Sequence, residues 1–319
     1  MTNSHDPGVL DERLRAVGYF PSTDLAVSLR LAVALDRPLL LEGPAGVGKT
    51  ELARAAADAL KRPLLRLQCY EGLDEARAIY EWDYAKQILY TQLLRDTVRD
   101  VLGELPQGAG ALSAAVDKVA TLETAFFSER FLVARPLLAA IRAEQPVVLL
   151  IDEVDRADPE FEALLLEVLA DNAITIPELG TYRAKAPPLV VLTTNATREL
   201  TEALRRRCLH ARVDYPEPSR ELAIVKGRVP GIGDALAQRL VEFVRRLREM
   251  ELRKAPSIAE SIEWARAFVV LGASALDEPI ARATLGVLLK HGEDRDRAEA
   301  RMAGLLAERV AEKPMRSVP

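Results

Sequence analysis

The chain has 319 residues, 49% of them hydrophobic, 29% charged and only 5% aromatic, which suffices for a large domain with a small companion and suits a helix-rich globular fold. Its net charge of -5 offers no general attraction to nucleic acid or to an anionic membrane surface, so nucleic acid is not expected as a partner. Two cysteines, Cys69 and Cys208, are too few for a disulfide framework, and with only three histidines, His5, His210 and His291, beside them the chain offers no clustered ligand set of the kind a protein-built zinc site needs.

Residues 1–20 read as a flexible segment in which Asp6-Pro7-Gly8 breaks any early element, and MTNSHDPGVLDER carries no basic and apolar tract of the secretory kind. Over 24–36, DLAVSLRLAVALD spaces its apolar residues for a helix, capped by Ser22 or Thr23 and ended by Arg37-Pro38. Leu39, Leu40 and Leu41 make a short buried strand, followed by a glycine-rich loop, an alanine-rich helix over 50–61 and a second strand in PLLRLQC. Residues 84–130 read as an insertion on the core sheet, with helices over 85–102 and 111–125 joined by GELPQGAG. VVLLI after Pro146 is a strand buried on both faces, as inside a parallel sheet, and Asp158-Pro159 opens a helix as N-cap and first helical residue. The stretch 173–188 alternates and turns at Gly180 as a hairpin. LVVLTTN is another buried strand, a short helix follows over 199–207, and a last strand is expected over 211–214. Pro216 and Pro218 mark a boundary, beyond which every pattern is helical. The expected organisation is therefore an α/β nucleotide-binding domain over 21–216 and a helical domain with a C-terminal tail over 217–319. No apolar run is long enough to cross a bilayer, so no membrane insertion and a cytoplasmic location are expected.

Gly43, Pro44, Ala45, Gly46, Val47, Gly48, Lys49 and Thr50 fit G-x-x-x-x-G-K-[ST] in full. Glycines let the backbone turn successive N–H groups toward phosphates, and the following helix adds its positive end. Lys49 is expected to reach the β- and γ-phosphates of ATP, and the Thr50 hydroxyl to hold magnesium. A chance glycine turn is the bland alternative, and a strand before the loop with a helix after it argues against that.

The strand 147–151 delivers Asp152 and Glu153 at its C-terminal end. Asp152 suits the magnesium shell, and Glu153 suits acceptance of the proton of an attacking water, although an Asp-Glu turn alone is common. LVVLTT ends in Asn195, whose amide can hold that water or contact the γ-phosphate, or else cap the next helix. Arg205, Arg206 and Arg207 close that helix. Cations there favour its dipole, but three exceed that need, and Arg207, then Arg206, is expected to reach the γ-phosphate of a neighbouring subunit.

These elements, in this order, resemble the AAA+ ATPases and among them the MoxR family, over roughly residues 19–290. The resemblance implies an AAA+ P-loop core, a parallel sheet flanked by helices, followed by a small all-helical lid. It makes 43–50 the Walker A loop, Asp152-Glu153 the end of Walker B, Asn195 sensor 1, and Arg207 or Arg206 an arginine finger. DNAITIPELGTYRAKAPPLVVLTTNATREL resembles the hairpin before sensor 1 in the clade of MoxR, magnesium chelatase and dynein-type modules, and YEGLDEARAIYEWD stands where that clade carries its helix-2 insertion. RLQCYEGLDEARAIYEWDYAKQILYTQLL and FLVARPLLAAIRAEQPVVLLIDEVDRAD resemble the branch found with carbon monoxide dehydrogenase genes. That branch implies a ring, of six subunits, that remodels a molybdenum-containing metalloenzyme client with a von Willebrand A domain partner. One departure stands out: relatives carry a sensor 2 arginine near G-x-S-x-R, and here the segment reads Ala255-Pro256-Ser257-Ile258-Ala259-Glu260, with Lys254 and Arg266 as the nearest substitutes.

A nucleic-acid motor or restriction-type nucleotidase shares the fold, but no strongly basic loop supports it, and a non-hydrolysing switch is opposed by the presence of Lys49, Asp152, Glu153 and Asn195 together. Glu242 with Arg246 and Glu249 with Arg253 read as solvated helix pairs, and Trp82 and Trp264 as packing residues before partner-binding ones. Gln68 is placed to restrain Glu153, while Tyr19 and Phe20 stand where AAA+ proteins contact adenine or simply pack.

Overall fold

A computed structural model describes residues 7–90, 92 and 127–307. In chain order the strands are β1 (Leu39–Glu42), β2 (Leu64–Gln68), β3 (Tyr80–Trp82), β4 (Leu132–Ala134), β5 (Val148–Asp152), β6 (Ala173–Ile176), β7 (Gly180–Arg183), β8 (Leu189–Thr194) and β9 (Leu209–Arg212). The helices begin with α1 (Pro7–Ala16), α2 (Thr23–Ala34), α3 (Lys49–Leu60), α4 (Glu75–Ile79), α5 (Pro136–Ile141), α6 (Pro159–Asp171) and α7 (Glu202–Arg207). They continue with α8 (Pro218–Arg228), α9 (Asp234–Arg248), α10 (Ile258–Val270), α11 (Glu278–Leu288), α12 (Gly292–Ala300) and α13 (Met302–Leu306). Among the described residues no helix is long and apolar enough to cross a membrane.

The described residues divide into two compact units. The first holds 7–10, Thr23–Glu42 and Ala53–Arg212; the second holds Asp11–Ser22, Gly43–Leu52 and the chain from Val213 onward. The sequence reading sets its boundary at Pro216 and Pro218, a few residues later. It has no means of grouping the glycine-rich loop with the helical segment, because that grouping comes from packing between residues far apart in sequence.

In the first unit five strands form a parallel sheet in the order β2-β5-β8-β1-β9. Every residue of β5 and β8 is buried, the pattern of strands covered on both faces. Leu67, Leu149, Ile151, Val190 and Leu192 share one apolar cluster with Leu138 and Ile141 of α5 and Phe161 and Leu165 of α6. Each such side chain contributes roughly 1.5–3 kcal/mol by leaving water. Because the strands are parallel, β5, β8 and β1 all end at the same edge of the sheet, which is where the acidic and polar residues gather.

Several expectations shift by identifiable causes. The 7–16 segment is helical rather than loose: Pro7 stands in the first turn, where its missing N–H costs nothing, and Leu10 and Leu14 bury one face. Residues 1–6 lie outside the described part. The last strand is β9 at Leu209–Arg212 rather than 211–214, since pairing with β1 sets Leu39 opposite Leu209 and the Leu209 N–H on the Pro38 carbonyl. The helix expected over 199–207 starts only at Glu202, with Thr201 as its cap. The hairpin is β6 and β7, with Gly180 at φ 85 supplying the left-handed residue.

Residues 84–90 and 92 are helical, while the rest of the helix expected over 85–102, and all of that over 111–125, fall outside the described residues. At the base of this insertion the antiparallel pair β3-β4 sets Tyr80 opposite Ala134 and Trp82 opposite Leu132. Trp82 packs edge-on against Tyr80 and Phe127, with centroids 5.6 and 5.2 Å away.

In the second unit, α8 to α13 enclose a core of Phe243, Trp264, Phe268, Leu240 and Leu285. The Trp264 indole N–H donates to Thr284 Oγ1 at 2.8 Å, which satisfies a fully buried polar group. A largely covered guanidinium ties this unit together. Arg248 makes a forked pair with Glu221 (2.6 and 2.9 Å), donates to the Pro256 carbonyl at 2.8 Å and stacks 4.8 Å from the Tyr215 ring. The pair expected between Glu249 and Arg253 does not form on the helix, because α9 ends at Arg248; Glu249 pairs with Arg245 instead.

Candidate functional site

The glycine-rich loop leaves β1 and closes into α3 at Lys49. Gly46 (φ 77) and Gly48 (φ 99) are left-handed, a conformation that lets consecutive N–H groups face one side and that side-chain-bearing residues adopt only at a cost. Lys49 is buried, and its Nζ donates to the carbonyls of Gly43 (2.6 Å) and Pro44 (2.7 Å). The loop is seated on residues of its own unit. A Cβ on Gly43 would fall 1.9 Å from the Val213 carbonyl oxygen, and one on Gly46 would fall 2.4 Å from Ser257 Oγ.

Ser257 is the N-cap of α10, in a capping box with Glu260. Burial would push the Glu260 carboxyl up, but hydrogen bonds from the Ser257 hydroxyl and N–H outweigh it and hold it low. The segment lacking a sensor 2 arginine therefore still meets the loop, through a serine. Of the suggested substitutes, Arg266 donates to the Arg228 carbonyl at 3.4 Å, and Lys254 lies electrostatically near Glu260. Arg228 of α8 meets the loop's helix, paired with Glu51 in the first turn of α3. Tyr19 donates its hydroxyl to the Gly48 carbonyl at 3.4 Å, and burial pushes its phenol well up, keeping it a neutral donor. Phe20 lies edge-on to Gly227 of α8, where a Cβ would come within 2.8 Å of its ring.

In the other unit the strand tips form a connected polar network. Asp152 is 2% exposed; its Oδ1 accepts from the Thr193 hydroxyl at 2.6 Å and its Oδ2 from Arg66 Nη2 at 2.6 Å. The chain then turns sharply: Glu153 takes left-handed angles (φ 55, ψ 51), which cost a residue with a side chain on the order of 1–2 kcal/mol. Its N–H is held by Thr193 Oγ1 at 2.9 Å. Three side chains converge on its carboxylate: Gln68 Nε2 at 3.1 Å, Arg156 Nη1 at 3.1 Å and Asn195 Nδ2 at 3.4 Å.

Asp155, which the sequence reading passed over, anchors the turn that carries Asn195. It accepts from the N–H groups of Asn195 (3.3 Å) and Thr197 (3.0 Å) and from the Thr197 hydroxyl (2.6 Å). Burial would raise its carboxyl, but these donors prevail and hold it below the usual carboxylate range. The hint available in sequence was a third acid in DEVD, directly after the strand. Arg66, also passed over, shows only as a charge interrupting an apolar strand.

The arginine cluster ends α7. Arg205 pairs with Glu42 at 2.5 Å and Arg206 with Glu202. Arg207 is exposed, and its side chain makes no ion pair or hydrogen bond among the described residues. Arg37 donates to the carbonyls of Arg206 and Arg207, at 2.8 and 2.9 Å, which fixes the end of α7.

In one unit the left-handed glycines shape a cradle for anions and the Thr50 hydroxyl is a hard oxygen donor of the kind magnesium takes; in the other the Asp152 carboxylate is a donor of the same kind. A glycine cradle between a buried strand and a helix, in a chain whose parallel sheet carries acids at the tip of a second strand, is the arrangement of the P-loop class. Over residues 38–208 the chain matches the AAA domain family of the dynein-related subfamily and belongs to it. It is 25% identical to the protein NorQ of Paracoccus denitrificans over 240 residues, covering 73% of each chain. It is 26% identical to the gas vesicle ATPase GvpN of Ancylobacter aquaticus over 254 residues, covering 76% of this chain and 64% of that one. Among solved structures it is similar to RuvB of Thermotoga maritima, with a TM-score of 0.46 and 19% identity, covering 83% of this chain and 68% of that one.

Proposed function

We propose that the chain hydrolyses ATP and uses the cycle, as a ring of subunits, to remodel a partner protein. The observation that carries this reading is the convergence of Gln68, Asn195 and Arg156 on the Glu153 carboxylate, beside Asp152. Glu153 is the base that takes a proton from the attacking water, and Asn195 orients that water. The backbone N–H groups of 43–50 and the Lys49 ammonium bind the phosphates. Thr50 and Asp152 hold magnesium, which when bound neutralises charge on the phosphates. Gln68 restrains Glu153 until a partner or nucleotide draws it away. Arg207, with Arg206 second, acts on a neighbouring subunit's nucleotide, and its lack of an ion pair among the described residues supports that role. That the gas vesicle relative is an ATPase supports hydrolysis.

The client is a metalloenzyme of the molybdenum-containing carbon monoxide dehydrogenase kind, reached together with a von Willebrand A domain protein. This finer assignment rests on the sequence resemblance of 66–94 and 131–158. The test is Glu153→Gln: it should bind ATP as the parent does and turn it over about a hundredfold or more slowly. In a cell extract the stalled variant should retain a von Willebrand A domain protein and a metalloenzyme. Unaltered turnover removes Glu153 from the reaction, and retention of neither protein removes the client assignment.

A further inference from the structure

The strand tips contain one cation that the hydrolytic reading leaves unused. Arg66 and Gln68 are two apart on β2, so both side chains stand on the same face, beside β5. One nitrogen of Arg66, Nη2, donates to two acceptors, Asp152 Oδ2 at 2.6 Å and the amide oxygen of Gln68. The second contact helps to decide which way the Gln68 amide points. With its oxygen held by a guanidinium, its NH2 is turned to Glu153, and Nε2 donates to Glu153 Oε2 at 3.1 Å and, more weakly, to the Asp152 backbone carbonyl at 3.5 Å. The flipped amide would set NH2 against a cation and oxygen against a carboxylate and a carbonyl, repulsive contacts in place of bonds. Asp152, meanwhile, has Oδ1 bonded to Thr193 and Oδ2 to Arg66, so the guanidinium sits on one of the two oxygens that would face a metal.

We infer that Arg66 is a positioning residue that couples metal binding at Asp152 to release of Glu153. It competes with magnesium for Asp152 Oδ2, and while it holds that oxygen it also sets the Gln68 amide that restrains Glu153. With Asp152 engaged by a metal, Arg66 would loosen, the Gln68 amide would lose one of the bonds that orient it, and Glu153 would keep Arg156 and Asn195 but lose its hold from Gln68. Binding at Asp152 would thus ease the restraint on the base one strand away. This rests on the proposed role of Asp152 in holding magnesium.

The experiment reads Mn2+ binding by electron paramagnetic resonance, with the protein saturated by the non-hydrolysable analogue AMP-PNP, and ATP turnover separately. Because Arg66 is partly exposed and its hold on Asp152 is correspondingly modest, Arg66→Met should tighten Mn2+ by about threefold. It should also raise turnover in the absence of any partner. Gln68→Ala should raise turnover and leave Mn2+ affinity at the parent value, a split that loss of packing would not produce. Arg66→Lys keeps the charge but not the planar fork, so it should retain parent Mn2+ affinity while turnover rises; it stands in if Arg66→Met melts at a lower temperature. Parent-like Mn2+ affinity in a folded Arg66→Met protein, or turnover that falls in both Arg66 variants, overturns the inference alone. If the parent shows no AMP-PNP-dependent Mn2+ signal, or Asp152→Asn binds as tightly, the metal role of Asp152 fails and the inference fails with it.

Discussion

Gly46 answers two demands at once: a left-handed backbone at φ 77 and direct contact with Ser257. Gly180 meets only the first, at φ 85 with open space around it. Gly180→Ala should therefore cost only the backbone strain, roughly 1–2 kcal/mol, and Gly46→Ala distinctly more, read from urea unfolding. Equal losses would mean that the Ser257 contact contributes nothing. The contrast also marks what single residues disclose in sequence. The residue types of the 43–50 loop are dictated by what phosphate binding requires of the backbone, so the motif is legible. The identity of the group resting on Gly46 is not, because Ser257 belongs to a helix cap formed much later in the chain. Arg66 is illegible for a related reason: nothing in RLQ says that the facing residue is Asp152.

The helices of the second unit depend on one buried ion pair. Arg248 bridges α9 to Glu221 of α8 and to Pro256, the residue before the α10 cap. Glu221 is 1% exposed, so Arg248→Ala would strand a buried carboxylate at a cost of roughly 3–5 kcal/mol. Thermal and urea unfolding should show it, and a loss below about 1 kcal/mol would mean that solvent reaches Glu221 after all. On the half-buried face of α9 beside the end of α13, hydrogen bonds from Arg245, with Arg246 adding to them against partial burial, hold the Glu242 carboxyl down at about 2, below its ordinary 4.5. The folded value lies below the unfolded one, so this pairing contributes fully above pH 4.5 and is lost as pH falls through 2. Glu242→Gln should flatten the urea-midpoint profile across that window, and an unchanged profile would remove the pair from the acid response. The apolar spacing of α9 is visible in sequence, but its last turn is not. Glu249 and Arg253 match the i, i+4 rule on paper, and the helix stops before the rule can apply.

The proposed ring makes its own demand on turnover. Arg207→Ala should bind ATP normally and lose turnover by about a thousandfold if, as proposed, its arginine acts on a neighbour. Lys49→Ala should fail to bind. Mixed together, the two inactive proteins should regain turnover, because Lys49→Ala subunits supply Arg207 to intact sites beside them. Full activity of Arg207→Ala, or no recovery on mixing, would show that the site needs no neighbour. The sheet that underlies all this was legible because its central strands are continuous apolar runs ended by polar residues. The three-residue strands β3 and β4 were not, being too short for any alternation to register and paired across about fifty intervening residues. Their pairing has a consequence for how such a chain can diversify. Asp83 N–H bonds the Phe131 carbonyl, so the stretch between departs from and returns to a single point beside the core. The β3-β4 pair is in effect a socket, and whatever cassette is spliced into it can be lengthened, shortened or exchanged for another without asking the nucleotide machinery to change.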